Sequence, residues 1–318
     1  MTKMTKEDVY VGIDVSKDKL DIAIHQSDVF WTINNEAEDI QAFVEKIKSL
    51  SPKLIVLEAT GGYEMEVATG LCLEGLPVSI VNPRLARNFA KALGHLAKTD
   101  KIDARDLAHY ASAIKPALTR MSTEEEQQLT TLVRRRSQLV EMRTQEINRL
   151  KSAGEGLDAS IREHIEWLDK EIASVLEKST EVIENSPLFQ KKDAVIQSFK
   201  GLGKVTSHAL LAEIPELGKL NRKQIAALAG LAPMNKDSGK KKGERSIQGG
   251  RHRARTLLYM PTLSAIRSNP FIREFYTRLL EQGKPKKVAV TACMRKVLVI
   301  LNSMVRNMEP WQPNFAQK

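Results

Sequence analysis

The run Val9–Val15 (VYVGIDV) sets a carboxylate, Asp14, between Ile13 and Val15 in an otherwise apolar stretch. A run this short and this apolar reads as a strand buried on both faces. A carboxylate is costly to bury there unless it is paired or meets a cation. The chain must therefore build a layered fold whose central sheet brings something to Asp14. A second run, Leu54–Glu58 (LIVLE), closes on an acid in the same way. If the two strands adjoin, Asp14 and Glu58 meet at the sheet.

The segments around these runs supply the layers. Leu20–His25 (LDIAIH) follows the first strand after SKDK, and Val29–Ile33 gives a third, so the three read as an antiparallel meander. Glu36–Leu50 spaces Ile40, Phe43, Val44 and Ile47 as an amphipathic helix does. Glu64–Leu73 reads as a helix, Pro77–Val81 as a strand, and Pro83–Leu93 and Ile102–Ala113 as further helices. Three strands followed by alternating helices and strands predict an α/β fold with a mixed sheet, in ribonuclease-H-like order, over residues 1–120.

Residues 121–194 read as a helical arm. Glu124–Lys151 contains no Gly or Pro, and Gly154 and Gly156 then punctuate the chain. Ile161, Ile165, Leu168, Ile172 and Val175 recur at steps of four and three, a short coiled-coil seam. Such an arm serves equally as a hairpin packed on its own domain or as a dimerisation surface. Residues 195–318 read as a mainly α-helical domain. It opens with Gly201, Gly203 and Lys204 between helices, where free backbone N–H groups can hold a phosphate in the manner of a helix-hairpin-helix. A plain turn fits the same glycines. A loop over Ala232–Gly250 follows, and two apolar helices, Arg255–Ser268 and Lys287–Met308, close the chain.

The net charge of +10 becomes informative when divided. Residues 1–118 hold 14 basic and 17 acidic side chains, a net of −3, leaving 35 and 22, a net of +13, for the rest. An acidic first third and a strongly basic remainder point to a polyanion partner. Cys72 and Cys293 are the only cysteines, which argues against a disulfide framework or a cysteine zinc site. No membrane span or secretory leader is expected, so the reading is a cytosolic protein.

The chemistry rests on the acids. Asp100 and Asp103 in KTDKIDARDLA stand three apart on one helix face, with Asp106 a further step along. By themselves these two are accounted for by a helix start, Asp100 as N-cap and Asp103 as a first-turn acid. Asp14 is not explained that way, and with Glu58 the set becomes a site. Such carboxylates repel one another unless divalent cations sit between them, and oxygen-only ligands suit Mg²⁺. Two ions roughly 4 Å apart would stabilise the entering and leaving oxygens of a phosphodiester displacement. Ser238, in a Gly- and Lys-rich loop, is by default a turn residue, and nothing in MNKDSGKKKG supplies a base to activate it. Lys240, Lys241, Lys242, Arg245, Arg251, Arg253 and Arg255 form a tract dense enough to neutralise several phosphates.

GIDVSKDKLD, IVLEATGGYE, VSIVNP and KTDKIDARDLA, taken in order, resemble the N-terminal block of the DEDD transposases of insertion-sequence family one-ten. GLGKVTSHALLAEI, LAGLAPMNKDSGKKKGERSIQGGRHRARTLLYM and ACMRKVL resemble its C-terminal block. The family includes relatives of the Piv DNA invertase and is also called the bridge-RNA-guided recombinases. The paired glycines in SIQGGRHRARTLLYM are closer to the subgroup called eleven-eleven.

The resemblance implies a RuvC-like domain whose metal-binding tetrad is Asp14, Glu58, Asp100 and Asp103, holding two Mg²⁺ with Mn²⁺ as a substitute. It implies a C-terminal transposase domain whose nucleophile is Ser238, forming a covalent phosphoserine–DNA intermediate. It further implies donor and target DNA, an element-encoded guide RNA, a homodimer assembling to a tetramer on DNA, and a place in the prokaryotic cytosol or nucleoid. The alternative reading is a RuvC-type junction resolvase that uses metal-activated water.

Overall fold

The computed structural model describes residues 8–95, 97, 99–152, 154, 156–235, 237–238, 243 and 245–312. The chain divides into two compact units, Met1–Met121 and Ser122–Lys318.

The first unit is a mixed sheet between helices. Strands β1 (Tyr10–Val15), β2 (Lys19–Ile24) and β3 (Phe30–Asn34) form the antiparallel meander. Helix α1 (Ala37–Ser49), β4 (Leu54–Glu58), α2 (Met65–Leu73), β5 (Val78–Val81), α3 (Pro83–Ala92) and α4 (Asp100–Ile114) follow. The strand order is β3-β2-β1-β4-β5, with β4 parallel to both β1 and β5. The central position of β1 and β4 explains their continuous apolar sequences, because both faces are covered. Val11, Ile13, Ile55 and Leu57 pack with Phe43, Ile47, Val67 and Leu71 of α1 and α2. On the other face, Tyr10, Leu54 and Val56 pack with Ala86, Leu107, Tyr110 and Ala111 of α3 and α4.

Gly12 decides how closely α4 approaches. A Cβ there would lie 2.2 Å from the amide nitrogen of Ala108 and 2.3 Å from the carbonyl of Ala104. The helix backbone thus rests directly on the strand backbone.

The second unit is mainly helical: α5 (Glu124–Leu150), α6 (Asp158–Glu184), α7 (Pro187–Gln197), α8 (Lys204–Glu213), α9 (Arg222–Leu228), α10 (His252–Ser268), α11 (Pro270–Glu281) and α12 (Lys286–Asn307). A two-stranded hairpin, β6 (Pro233–Met234) with β7 (Ser246–Ile247), interrupts them between α9 and α10. Thr123 and Glu126 form a capping box that starts α5. Leu168 and Val175 of the coiled-coil seam are buried with Leu139 of α5, so within this chain the seam closes a helical hairpin.

Two corrections to the sequence reading follow. Three helices close the chain, not two: Pro270 occupies the first turn of α11, and the Asn269 side chain accepts a hydrogen bond from the Phe271 amide at 3.1 Å. Proline there marks a helix start, since the missing N–H has no intrahelical use. Also, α12 is long and apolar enough to cross a membrane by length and composition, contrary to expectation. Its apolar face is instead packed in the core, with Val290, Met294, Val297, Leu301 and Met304 buried. Cys293 lies in the same core, where burial pushes its thiol up to about 11. Both cysteines are free.

Between α6 and α8, His208 is buried, with Nδ1 2.9 Å from Ser179 Oγ. Burial holds its imidazole below the usual range, so the folded protein keeps it neutral. The unfolded chain binds that proton below about pH 6.5, so stability is lost as pH falls from there through the lowered folded value. Urea midpoints measured against pH should fall on acidification, with a shallower slope in His208→Asn. Gly12→Ala should cost about 1–3 kcal/mol or more in the same assay, since neither backbone can yield locally.

Candidate active site

The β1–β4 register runs from Tyr10 opposite Leu54 to Ile13 opposite Leu57, so the next residues, Asp14 and Glu58, are neighbours where two adjacent parallel strands end. Across the other edge of β1, Asp14 stands opposite Asp21 of β2. The carboxyl ends of parallel strands are where open α/β sheets place their ligands.

Helix α4 completes the edge. Its middle turn rests on Gly12, and Tyr110 and Ala111 pack with Tyr10, so α4 runs antiparallel to β1. Its first turn, with Asp100 and Asp103, is therefore directed toward the Asp14 end of the strand. The N-cap is Thr99, whose hydroxyl accepts from the Ile102 amide at 3.3 Å, and not Asp100. Asp100 and Asp103 are both first-turn acids, where the helix dipole favours negative charge. Glu58 and Asp103 line one cleft of about 470 Å³, together with Arg84, Arg87 and Lys91 of α3.

Lys19 is the cation that the sequence reading missed. Its ammonium donates to Asp100 at 2.6 Å and lies 3.2 Å from Asp21. Those two contacts, Asp100 first, raise its pKa above the usual lysine range. Asp21, buried on β2, also accepts from Thr32 Oγ1 at 2.5 Å. Alternation along β2 could have placed Asp21 beside Asp14, but the bridge to Asp100 spans 81 residues and has no sequence signal.

A second group lies further along α4. His95 Nδ1 is 2.6 Å from Asp106 Oδ1, and His25 stacks on His109 at 4.9 Å. Burial, and then the neighbouring His109, hold His25 below its ordinary range.

The donor set of the four sequence-assigned acids is oxygen only, which suits a hard divalent cation in kind. In number it falls short. Among the described residues no three His, Cys, Asp or Glu side chains stand close enough together to hold a metal ion. Lys19 meanwhile supplies a positive charge between one of the four, Asp100, and Asp21.

In the second unit, Ser238 is exposed between β6 and β7, and the adjacent Asp237 accepts through Oδ1 from the Gly243 amide at 3.2 Å. Lys240, Lys241 and Lys242 lie outside the described residues. Arg245 is exposed. The other arginines of the tract have protein partners. Arg251 forks onto Glu216 at 2.7 and 2.6 Å and donates to the Glu213 carbonyl at 3.1 Å. Arg255 donates to the carbonyls of Gly230 and Gly249 at 3.3 and 2.9 Å, while Arg253 stays mostly exposed at 3.8 Å from Glu213. The paired glycines admit another backbone: a Cβ on Gly250 would lie 2.1 Å from the Gly230 nitrogen. Gly201, at φ +103°, similarly admits α10, since its Cβ would stand 2.6 Å from Ala265. Gly203 caps α8 with open space beside it, and Lys204 is exposed.

An acid-lined sheet edge in one unit and a basic, glycine-clasped loop in the other find their counterpart among enzymes that act on DNA as transposases and recombinases. A family model for DEDD transposases of the IS110 type matches residues 11–155, and one described as "Transposase IS116/IS110/IS902 family" matches residues 193–277. The chain belongs to the IS110 family of transposases. It is 29% identical to the pilin gene-inverting protein of Moraxella lacunata over 323 residues, 97% of this chain and 99% of that protein. The transposase for insertion sequence element IS1111A of Coxiella burnetii is 23% identical over 265 residues, 73% of this chain and 70% of that protein.

The Arg251 fork predicts a stability effect that a surface phosphate contact would not have. Arg251→Gln should lower the urea stability by about 1 kcal/mol, the pair being partly exposed to solvent screening. An unchanged midpoint would show the fork to be idle.

Proposed function

We propose that this transposase cuts and exchanges DNA strands through a RuvC-like acidic site and the hydroxyl of Ser238, with sites chosen by an RNA from its own element. The observation that carries the reading is the placement of Asp14 and Glu58 at the ends of adjacent parallel strands, with the first turn of α4 directed toward the same end of the sheet. A mixed sheet flanked by helices supports the ribonuclease-H-like reading of this domain. On this reading Asp14, Glu58, Asp100 and Asp103 are the acids that would hold Mg²⁺. Since no three of them stand together as they are, they would have to draw closer around the ion, with water and DNA phosphate oxygens completing its coordination. When bound, the ion supplies neutralisation of the phosphate charge.

Ser238 Oγ attacks phosphorus, a new P–O ester forms, and the bond to the leaving deoxyribose oxygen breaks. That oxygen takes up a proton while the serine proton passes to solvent. A hydroxyl of the second strand then attacks the phosphoserine and frees Ser238. The exposure of Ser238 in a hairpin loop supports its access to a DNA backbone. The similarity to a protein named for inverting a gene, over nearly the full length of both, supports site-specific exchange. The basic second unit suits both RNA and DNA. Exposed Val140, Met142, Leu157 and Trp167 on the α5–α6 hairpin suit a second copy, as the expected dimer and tetramer require.

With DNA carrying the element's ends and the element's transcript present, the protein should yield a covalent protein–DNA adduct. Ser238→Ala should abolish the adduct, and Asp14→Asn or chelation of divalent ions should lower cleavage by several orders of magnitude. Clean cuts without adduct would favour a water-using resolvase. Recombination that persists after ribonuclease treatment would exclude the RNA guide.

A further inference from the structure

We propose that the cleft between α3 and α4 seats the backbone of the DNA strand that is cut, with Arg84 and Lys91 of α3 holding its phosphates. Arg84, Arg87 and Lys91 follow one another at steps of three and four, which lines them along one face of α3. The opposite stripe, Ala86 and Ala90, is buried on the sheet. All three basic residues line the same cleft as Glu58, Asp103 and Asp106.

The charge arrangement points to a phosphodiester rather than to a neutral or cationic ligand. A floor of carboxylates in a domain whose first 118 residues carry a net charge of −3 repels DNA at long range. Fixed cations flanking such a floor lower the cost of bringing a phosphate to it. The α3 face supplies them within the first unit, at the wall of the cleft itself. Asp106 adds a second observation. It is buried, one carboxylate oxygen meets His95, and among the described residues Oδ2 has no hydrogen-bond partner. The cleft therefore holds an acceptor open to a donor or cation, beside the exposed Arg84 and Lys91.

The reacting strand is the occupant favoured over RNA, because this wall adjoins the acids assigned to cleavage, and a DNA transposase cuts only DNA. The inference rests on the proposed function for the location of the reacting strand, but its readout is binding. Each phosphate contact contributes about 0.9 to the slope of log affinity against log salt. The full-length Arg84→Gln/Lys91→Gln variant should bind a fluorescein-labelled DNA duplex more weakly, with that slope lower by about 1.8. Both residues are exposed, so its thermal unfolding should match the parent. Lys46→Gln, on α1 across the sheet, should leave affinity and slope unchanged.

An unaltered slope in the double variant would overturn the proposal. So would a slope change confined to an RNA probe, which would assign the face to a guide. If Asp14→Asn spared cleavage while the double variant lost its slope, the assigned acids would fail and the seat would stand. If Asp14→Asn abolished cleavage while the double variant kept the parent slope, only the seat would fail.

Discussion

The first unit depends on the contact of α4 with β1 at Gly12. Helix backbone presses on strand backbone where any side chain would intervene at little more than 2 Å. This fixes the height of α4 above the sheet, and its antiparallel course fixes which end of β1 its first turn reaches. Asp100 and Asp103 are brought to the Asp14 end by packing that lies well away from them. A residue without a side chain thus does more to build the acidic edge than any of the acids, which repel one another when gathered.

That repulsion is met in part by Lys19, which spans Asp21 and Asp100. The acidic edge thus carries a protein cation among its carboxylates. Charge in the second unit is handled in the opposite way. Arg251 and Arg255, which look like phosphate contacts in a string of basic residues, tie α10 to Glu216 and to the glycine carbonyls. The chain thus spends arginine on loop architecture, while Lys204, Arg245 and Arg253 stay exposed.

Much of the first unit was legible because β1 and β4 are apolar apart from one acid each, and β2 and α1 have clean periods. Asp14 and Glu58 were legible because an acid inside or at the end of such a strand has no packing role. Lys19 was not, since its partner is set by the approach of α4. The beginning of α11 at Pro270 was missed because proline reads as a break until its place in the first turn is known. The role of Gly250 was not legible, since the group that approaches it is the backbone of Gly230, twenty residues earlier in the chain.

Composition and strand periodicity were enough to determine a mixed α/β domain, a basic helical remainder and two acids, Asp14 and Glu58, at the ends of adjacent apolar strands. These are local properties, fixed by the period of each element and by the cost of burying charge. Tertiary structure alone decided which cations face those acids, which arginines are engaged within the protein and which wall of the cleft is basic. Each of those depends on groups far apart in the chain, and only packing sets their distance.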